Sequence, residues 1–321
     1  MNARIPMDVL LTGRIDATER EKWLCALRVE APDVTWWSDD DGEIPREAVV
    51  AAVVADPAPG LLAALPRLRL VQSLWAGVEK LLADATLPAQ VPLARMVDPA
   101  MNAAMAETAL WAVLSLHRGF FDYGSQQRAG VWCAHAQRRA DEVNVLVLGL
   151  GQMGAAVATR LAEQGYRVRG WRATANARPP PAGVTVYDGA DVLAALLSTT
   201  AIVVNLLPLT AATRGLLDVR VFAALPRGAS VVNLARGAHV VDDDLLAALD
   251  SGQLHRAVLD VFAGEPLAPH HRYWRHPQVT VLPHVAALTD PRSAAPVVAA
   301  NLRALRDGAP LACLVDRARG Y

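Results

Sequence analysis

The sequence predicts an α/β chain built from two doubly wound parallel sheets with a cleft between them. Three observations point that way. Short β-rich runs alternate with alanine- and leucine-rich helical stretches almost throughout, which implies parallel strands joined by helical crossovers. Several of those runs are apolar without interruption, as expected of strands covered on both faces. The chain has 321 residues, too many for a single core of ordinary size. Together these features predict two domains of the Rossmann and flavodoxin-like kind.

In chain order, the expected strands are Asp8–Leu11, Val49–Ala55, Leu68–Leu74, Val143–Leu148, Arg167–Trp171, Ile202–Leu206, Ser230–Leu234, Ala257–Val261 and Val279–Leu282. The opening MNARIPMDVLLTG reads as the first strand rather than a secretion signal, because its apolar run is short and ends in turn residues. Proline-marked stretches at Val97–Asn102 and Pro283–Pro291 are the expected hinges. They divide the chain into a substrate domain, residues 1–98 with 286–321, and a dinucleotide-binding domain, residues 99–285. The last helix, Ser293–Asp307, is expected to return to the first domain. The Pro179–Pro181 run reads as a stiff surface turn, and the Asp242–Asp244 run as an N-cap with acidic first-turn residues.

Composition narrows the class of function. Hydrophobic residues make up 53% of the chain and the formal net charge is −1, so the basic field needed by nucleic-acid or membrane-surface binders is missing. No apolar run approaches the roughly 18 residues needed to cross a bilayer. The three cysteines, Cys25, Cys133 and Cys313, are scattered and show no paired spacing. A reducing, cytoplasmic setting without a structural metal fits best.

Gly149-x-Gly151-x-x-Gly154 stands directly after an apolar strand and opens an alanine-rich helix. In that context the glycines serve a tight turn, close approach to a pyrophosphate, and helix–strand contact. The amides of Gln152 and Met153 then face the phosphates at a helix N-terminus. The next strand ends at Trp171, followed by Arg172, where NAD-specific sites usually carry an acid about 20 positions on. A guanidinium cannot accept from ribose hydroxyls but can pair with a 2′-phosphate. NADPH is therefore expected over NADH, with Thr174 and Arg178 as helpers; a solvated arginine at a strand end is the plain alternative.

Three later strands each end in a chemically useful residue, at the edge where open α/β sheets bind ligands. Arg236 follows Ser230–Leu234; its guanidinium can grip a carboxylate through two parallel hydrogen bonds. Asp260 and Glu265 follow the next strand, and His284 the third. A histidine is a natural proton donor to a ketone oxygen receiving hydride, and Glu265 would steady its imidazolium. A metal site at His270, His271 and His276 would need a further ligand from a strand or helix.

The motifs GLGQMG, NLARG, LDVFAGEP and LPHVA, in this order and spacing, resemble those of the D-isomer-specific 2-hydroxyacid dehydrogenases, and the likeness covers nearly the whole chain. The longer matches WAGVE, NLLPLT, NLARGAHVVDDDLLAALDSGQL and VDRARGY point to members acting on glyoxylate and hydroxypyruvate. The resemblance implies that Arg236, Glu265 and His284 are the catalytic arginine, glutamate and histidine. It also implies that the amides of Ala76, Gly77 and Val78 hold the substrate carboxylate opposite Arg236, beside Trp75. Leu206, Leu207 and Pro208 would border the adenosine, Ala235 would lie along the cofactor, and Asp260 would contact the nicotinamide carboxamide. Trp132 resembles a residue sent across a homodimer interface toward the partner's pocket, and Glu107 and Thr108 match the start of a long interdomain helix.

Two departures accompany the likeness. Trp75 stands where small residues are usual, implying a narrower pocket, and Arg172 is followed by Ala173 rather than forming a serine–arginine pairing. The expected reaction is NADPH-dependent reduction of glyoxylate to glycolate or hydroxypyruvate to D-glycerate, with NADH the weaker cofactor and domain closure excluding water. Two rivals remain at this stage: an NADH-dependent dehydrogenase for a larger substrate, and a non-catalytic NAD(P)-sensing protein on the same fold.

Overall fold

The computed structural model describes residues 7–175 and 178–320. The first six residues of the opening segment, residues 176–177 and Tyr321 of VDRARGY lie outside the described residues. The chain divides into two compact units, residues 1–100 with 289–321, and residues 101–288.

The first unit contains β1 (Met7–Gly13), α1 (Ala17–Glu30), β2 (Val34–Ser38), β3 (Val49–Ala55), β4 (Leu70–Ser73), α2 (Glu79–Ala83) and β5 (Leu93–Ala94). The chain's last helix, α9 (Pro291–Asp307), joins it. Its five strands are parallel in the order β2-β1-β3-β4-β5, the flavodoxin-like arrangement. Strand β3 reads VVAAVVA and is buried except at Val50, the near-continuous apolar run of a strand covered on both faces. Helix α9 begins two residues before the expected Ser293, because Asp290 caps it by accepting from the Arg292 amide and Pro291 fills its first position. Its Ala294, Ala295, Val298 and Leu302 are buried, and the Asn301 amide donates to Gln72 of β4 at 2.7 Å.

Helix α3 (Pro99–Arg118) leads into the second unit. Then follow α4 (Phe120–Ala129), β6 (Asn144–Leu148), α5 (Gln152–Glu163), β7 (Arg167–Arg172), β8 (Thr185–Asp188), α6 (Leu193–Leu197) and β9 (Ile202–Asn205). The unit closes with α7 (Val219–Ala224), β10 (Ala229–Asn233), α8 (Asp242–Asp250), β11 (Leu254–Leu259) and β12 (Val279–Val281). Seven parallel strands run in the order β12-β11-β10-β9-β6-β7-β8. The chain winds outward from β6 in one direction and from β9 in the other, so the topological switch point lies between these two strands. Val145 and Val147 of β6 enter one apolar cluster, Leu146 and Leu148 the other, as the two-residue repeat of a strand buried on both faces requires.

Each expected strand is present, with ends shifted by a few residues. Three further strands were not expected. β2 carries two tryptophans and forms a sheet edge, β5 has two residues, and β8 is a partly exposed edge after the proline run. Two local expectations are corrected. Asp242 is not an N-cap: α8 starts with it, Val241 holds the cap position without a side-chain bond, and the Asp242 carboxylate accepts from the Tyr273 hydroxyl at 2.7 Å. Glu107 and Thr108 sit midway along α3, which begins at Pro99.

Candidate active site

The second unit's functional side chains gather at the carboxyl ends of its strands. After β6 the chain turns at Gly149, whose φ of +90° suits a residue without Cβ. A Cβ there would stand 2.7 Å from the Leu206 carbonyl oxygen, and one on Gly154 only 1.8 Å from that of Gly149. Gly151, the N-cap of α5, has open space where its Cβ would be. Two glycines thus serve packing and the third leaves the helix N-terminus uncovered, a cradle fit for a pyrophosphate with Gln152 and Met153 in the first turn. Leu206, Leu207 and Pro208 follow β9, across the switch point from this turn; Leu207 is buried in the core.

Arg172 ends β7 and is committed to a neighbour. Its Nε and Nη2 donate to the two oxygens of Asp188, at 2.6 and 2.9 Å, and this holds the Asp188 carboxyl below the usual carboxylate range. The two residues are partners in the β7–β8 ladder. Trp171 is buried, with its ring N–H donating to the Gly189 carbonyl; its side chain is core. Thr174 and Arg178 are exposed in the following loop, where the Arg178 carbonyl accepts from Arg172 at 3.3 Å.

Three loops after β10, β11 and β12 lock onto one another. Gly237 follows Arg236, and a Cβ on it would lie 1.9 Å from the Phe262 carbonyl carbon, so the arginine turn packs directly on the loop after β11. In that loop the Phe262 amide donates to Glu265 Oε1 at 2.8 Å, while Glu265 Oε2 accepts from His284 Nδ1 at 2.7 Å. The carboxylate is oriented by backbone on one side and orients the imidazole on the other. With its proton on Nδ1 facing Glu265, His284 leaves Nε2 for chemistry. Arg236 is half-buried with an extended backbone, and its Nη1 donates to the Ala235 carbonyl at 2.6 Å; Ala235 itself is buried.

His284 has a φ of +57°, a region that costs a non-glycine residue roughly 1–3 kcal/mol. Asp260 offsets this cost. Its backbone oxygen accepts from the His284 amide, and its carboxylate accepts from the amides of Val285 and Ala286 at 2.8 and 3.0 Å. Burial pushes the Asp260 carboxyl above the usual range, against the pull of those two amides and His284. From α3, the Thr108 hydroxyl donates to the Ala286 carbonyl at 2.9 Å. Asp260 therefore anchors the histidine loop, a role the sequence reading did not assign.

The first unit holds the other group of expected residues. Trp75, Ala76 and Gly77 are half-buried after β4, and Val78 is buried. Ser73 Oγ accepts from the Trp75 amide and donates to its carbonyl, while the Thr289 hydroxyl donates to the Leu74 carbonyl. Among the described residues, the amides of Ala76, Gly77 and Val78 have no acceptor. Trp132 is fully exposed, with exposed Val131 and Phe120 nearby in sequence. His271 and His276 are paired with Asp242 and Asp250, and no cluster of three or more metal-ligating side chains occurs among the described residues.

Asp188, Asn205, Asn233 and His239 are further polar residues of this region whose roles were not expected from the sequence. Asp188 lies on the unexpected β8. The two asparagines did leave a signal: each closes an apolar run, IVVN and SVVN, with a side chain that is fully buried.

The profile of the D-isomer specific 2-hydroxyacid dehydrogenase family, NAD binding domain, matches residues 110–286. A glyoxylate/hydroxypyruvate reductase A of Serratia proteamaculans is 41% identical over 311 residues, 94% of this chain and 96% of that relative. Another, of Yersinia enterocolitica, is 38% identical over 310 residues, 94% of this chain and 97% of that one. Among solved structures, a D-isomer specific 2-hydroxyacid dehydrogenase from Xanthobacter autotrophicus, in complex with NADPH and MES, has a TM-score of 0.93 at 39% identity and covers 99% of this chain and 100% of its own. The NADPH-dependent glyoxylate/hydroxypyruvate reductase of Sinorhizobium meliloti, in complex with NADP and sulfate, has a TM-score of 0.90 at 34% identity, covering 98% and 100%.

Proposed function

This chain belongs to the D-isomer-specific 2-hydroxyacid dehydrogenase family, and from that premise we propose that it is an NADPH-dependent reductase of glyoxylate and hydroxypyruvate. One observation carries the reading. A histidine held by a carboxylate at 2.7 Å stands in a loop locked to the turn that bears an arginine, all at the carboxyl edge of a dinucleotide-binding sheet.

The Gly149–Gly154 turn would hold the cofactor's pyrophosphate, and Leu206–Pro208, after β9, would border its adenosine. Bound there, NADPH supplies the hydride. Arg236 grips the carboxylate of the 2-oxo acid through its paired N–H groups. His284 gives its Nε2 proton to the carbonyl oxygen as the carbon is reduced. Glu265 keeps the imidazole in the orientation that allows this transfer. The products are glycolate or D-glycerate, and His284 regains its proton from water. Arg172 would hold the 2′-phosphate, which would have to compete with Asp188 for the guanidinium.

The test is a panel of 2-oxo acids of rising side-chain size, each run with NADPH and NADH. Glyoxylate and hydroxypyruvate should consume NADPH with the highest kcat/KM, and Arg172→Asp should move the preference toward NADH. No turnover with any 2-oxo acid would identify a nucleotide-sensing protein instead.

Trp132, Val131, Phe120 and Trp111 leave apolar surface exposed on the dinucleotide-binding unit, which supports a homodimer formed there. Sedimentation should give a dimer for the wild type and a shift toward monomer for Trp132→Ala; a monomeric wild type contradicts it. Cys25, Cys133 and Cys313 are all free thiols and suit the cytoplasm. No helix among the described residues is long and apolar enough to cross a membrane.

A further inference from the structure

Beneath the arginine turn lie three polar side chains with no exposed surface: Asn205 at the end of β9, Asn233 at the end of β10, and His239 in the 3-10 turn after Arg236. Buried polar groups persist where their hydrogen bonds are made, and here the direction of each bond is forced. The Leu207 amide donates to Asn205 Oδ1 at 3.3 Å. The Ala235 amide donates to Asn233 Oδ1 at 3.3 Å, and Asn233 Nδ2 donates to the Arg236 carbonyl at 3.0 Å. Backbone groups cannot exchange these roles, so neither side-chain amide can be flipped. Asn205 Nδ2 therefore donates twice, to Asn233 Oδ1 and to His239 Nδ1, both at 2.9 Å. His239 Nδ1 must accept, which leaves its proton on Nε2, directed at the Pro208 carbonyl at 3.3 Å.

Each end of this relay grips a functional loop. Asn233 holds the backbone of Ala235 and Arg236; Asn205 and His239 hold Leu207 and Pro208, on the loop assigned to the nucleotide. We propose that Asn205, Asn233 and His239 form one positioning unit that fixes the Arg236 turn relative to the nucleotide loop, and so sets how tightly the enzyme grips the carboxylate of its 2-oxo acid. This rests on the reading of Arg236 as the carboxylate-binding residue. None of the three side chains touches substrate; they act through the backbone of the residue that does.

Asn233→Asp is the sharpest probe. It keeps the oxygen that accepts from Ala235 and Asn205 but sets a carboxylate oxygen against the Arg236 carbonyl. The KM for glyoxylate should rise about tenfold or more, with a smaller fall in kcat and with NADPH affinity, read by calorimetry, within about twofold of wild type. His239 separates the links. Asn at this position can place Oδ1 where Nδ1 accepts, whereas Gln can reach Pro208 but leaves Asn205 without its acceptor. His239→Asn should keep the glyoxylate KM within about threefold, and His239→Gln should raise it.

An unchanged glyoxylate KM in Asn233→Asp overturns the proposal, and so does a parallel loss of melting temperature, NADPH affinity and KM in both His239 variants, which is the mark of general packing. Should Asn233→Asp fail to fold, the His239 pair decides by the same criterion. Arg236→Gln run alongside keeps the two levels apart: if that variant leaves the glyoxylate KM untouched, the assignment of Arg236 is what has failed.

Discussion

Replacing His284 by alanine should lower kcat for glyoxylate reduction by about 10²–10⁴, the usual contribution of a general acid, while NADPH still binds. The expectation follows from how the imidazole is held. Glu265 takes Nδ1, and Glu265 is itself fixed by the Phe262 amide, so only Nε2 is left to serve a carbonyl oxygen. Asp260 anchors the residues on the far side of the histidine through two backbone amides. The side chain can therefore be removed without releasing the loop. Glu265→Gln should fall between wild type and His284→Ala, since an amide can still accept from Nδ1 but does not stabilise an imidazolium. Stopped-flow measurement of the first turnover separates this step from cofactor release. Full turnover in His284→Ala would mean that the proton comes from elsewhere.

Arg236→Gln should reduce kcat/KM for glyoxylate about 10²-fold or more, equivalent to roughly 3 kcal/mol, mostly through KM. The loss is that of a charge-assisted pair of bonds to a carboxylate. Arg236→Lys retains the charge without the planar fork and should recover only part of it. Melting temperature is the control: the side chain is half-buried, and a loss of stability in step with the loss of kcat/KM would mark a structural role instead. A variant with unchanged KM would assign the carboxylate to another cation.

The sequence made some of this arrangement legible for physical reasons. Strands buried on both faces leave long apolar runs, and β3, β6, β9 and β10 were visible on that account. The Gly149–Gly154 turn was visible because close backbone approach excludes a side chain at Gly149 and Gly154. β2, with polar residues between its tryptophans and the loops, and β8, a partly exposed TVYD after the proline run, lack an unbroken apolar run and were not seen, and with β8 the pairing of Arg172 with Asp188 was lost. Arg236, Glu265 and His284 could be named because each follows a strand, but the contacts that unite them run through backbone. Gly237 against Phe262 and the Phe262 amide on Glu265 depend on loop conformation, which has no periodicity to read. The same holds for Asp260, whose two bonds reach residues 25 and 26 positions away, and for Thr108, paired with a carbonyl 178 residues distant.

A crystal structure of the ternary complex with NADPH and oxamate, a stable mimic of a small 2-oxo acid, tests the central assignment most directly. The oxamate carboxylate should lie on the Arg236 guanidinium, its amide carbonyl oxygen within hydrogen-bond reach of His284 Nε2, and its carbon should face the nicotinamide. Oxamate bound away from Arg236, or with His284 turned from its carbonyl, would contradict it.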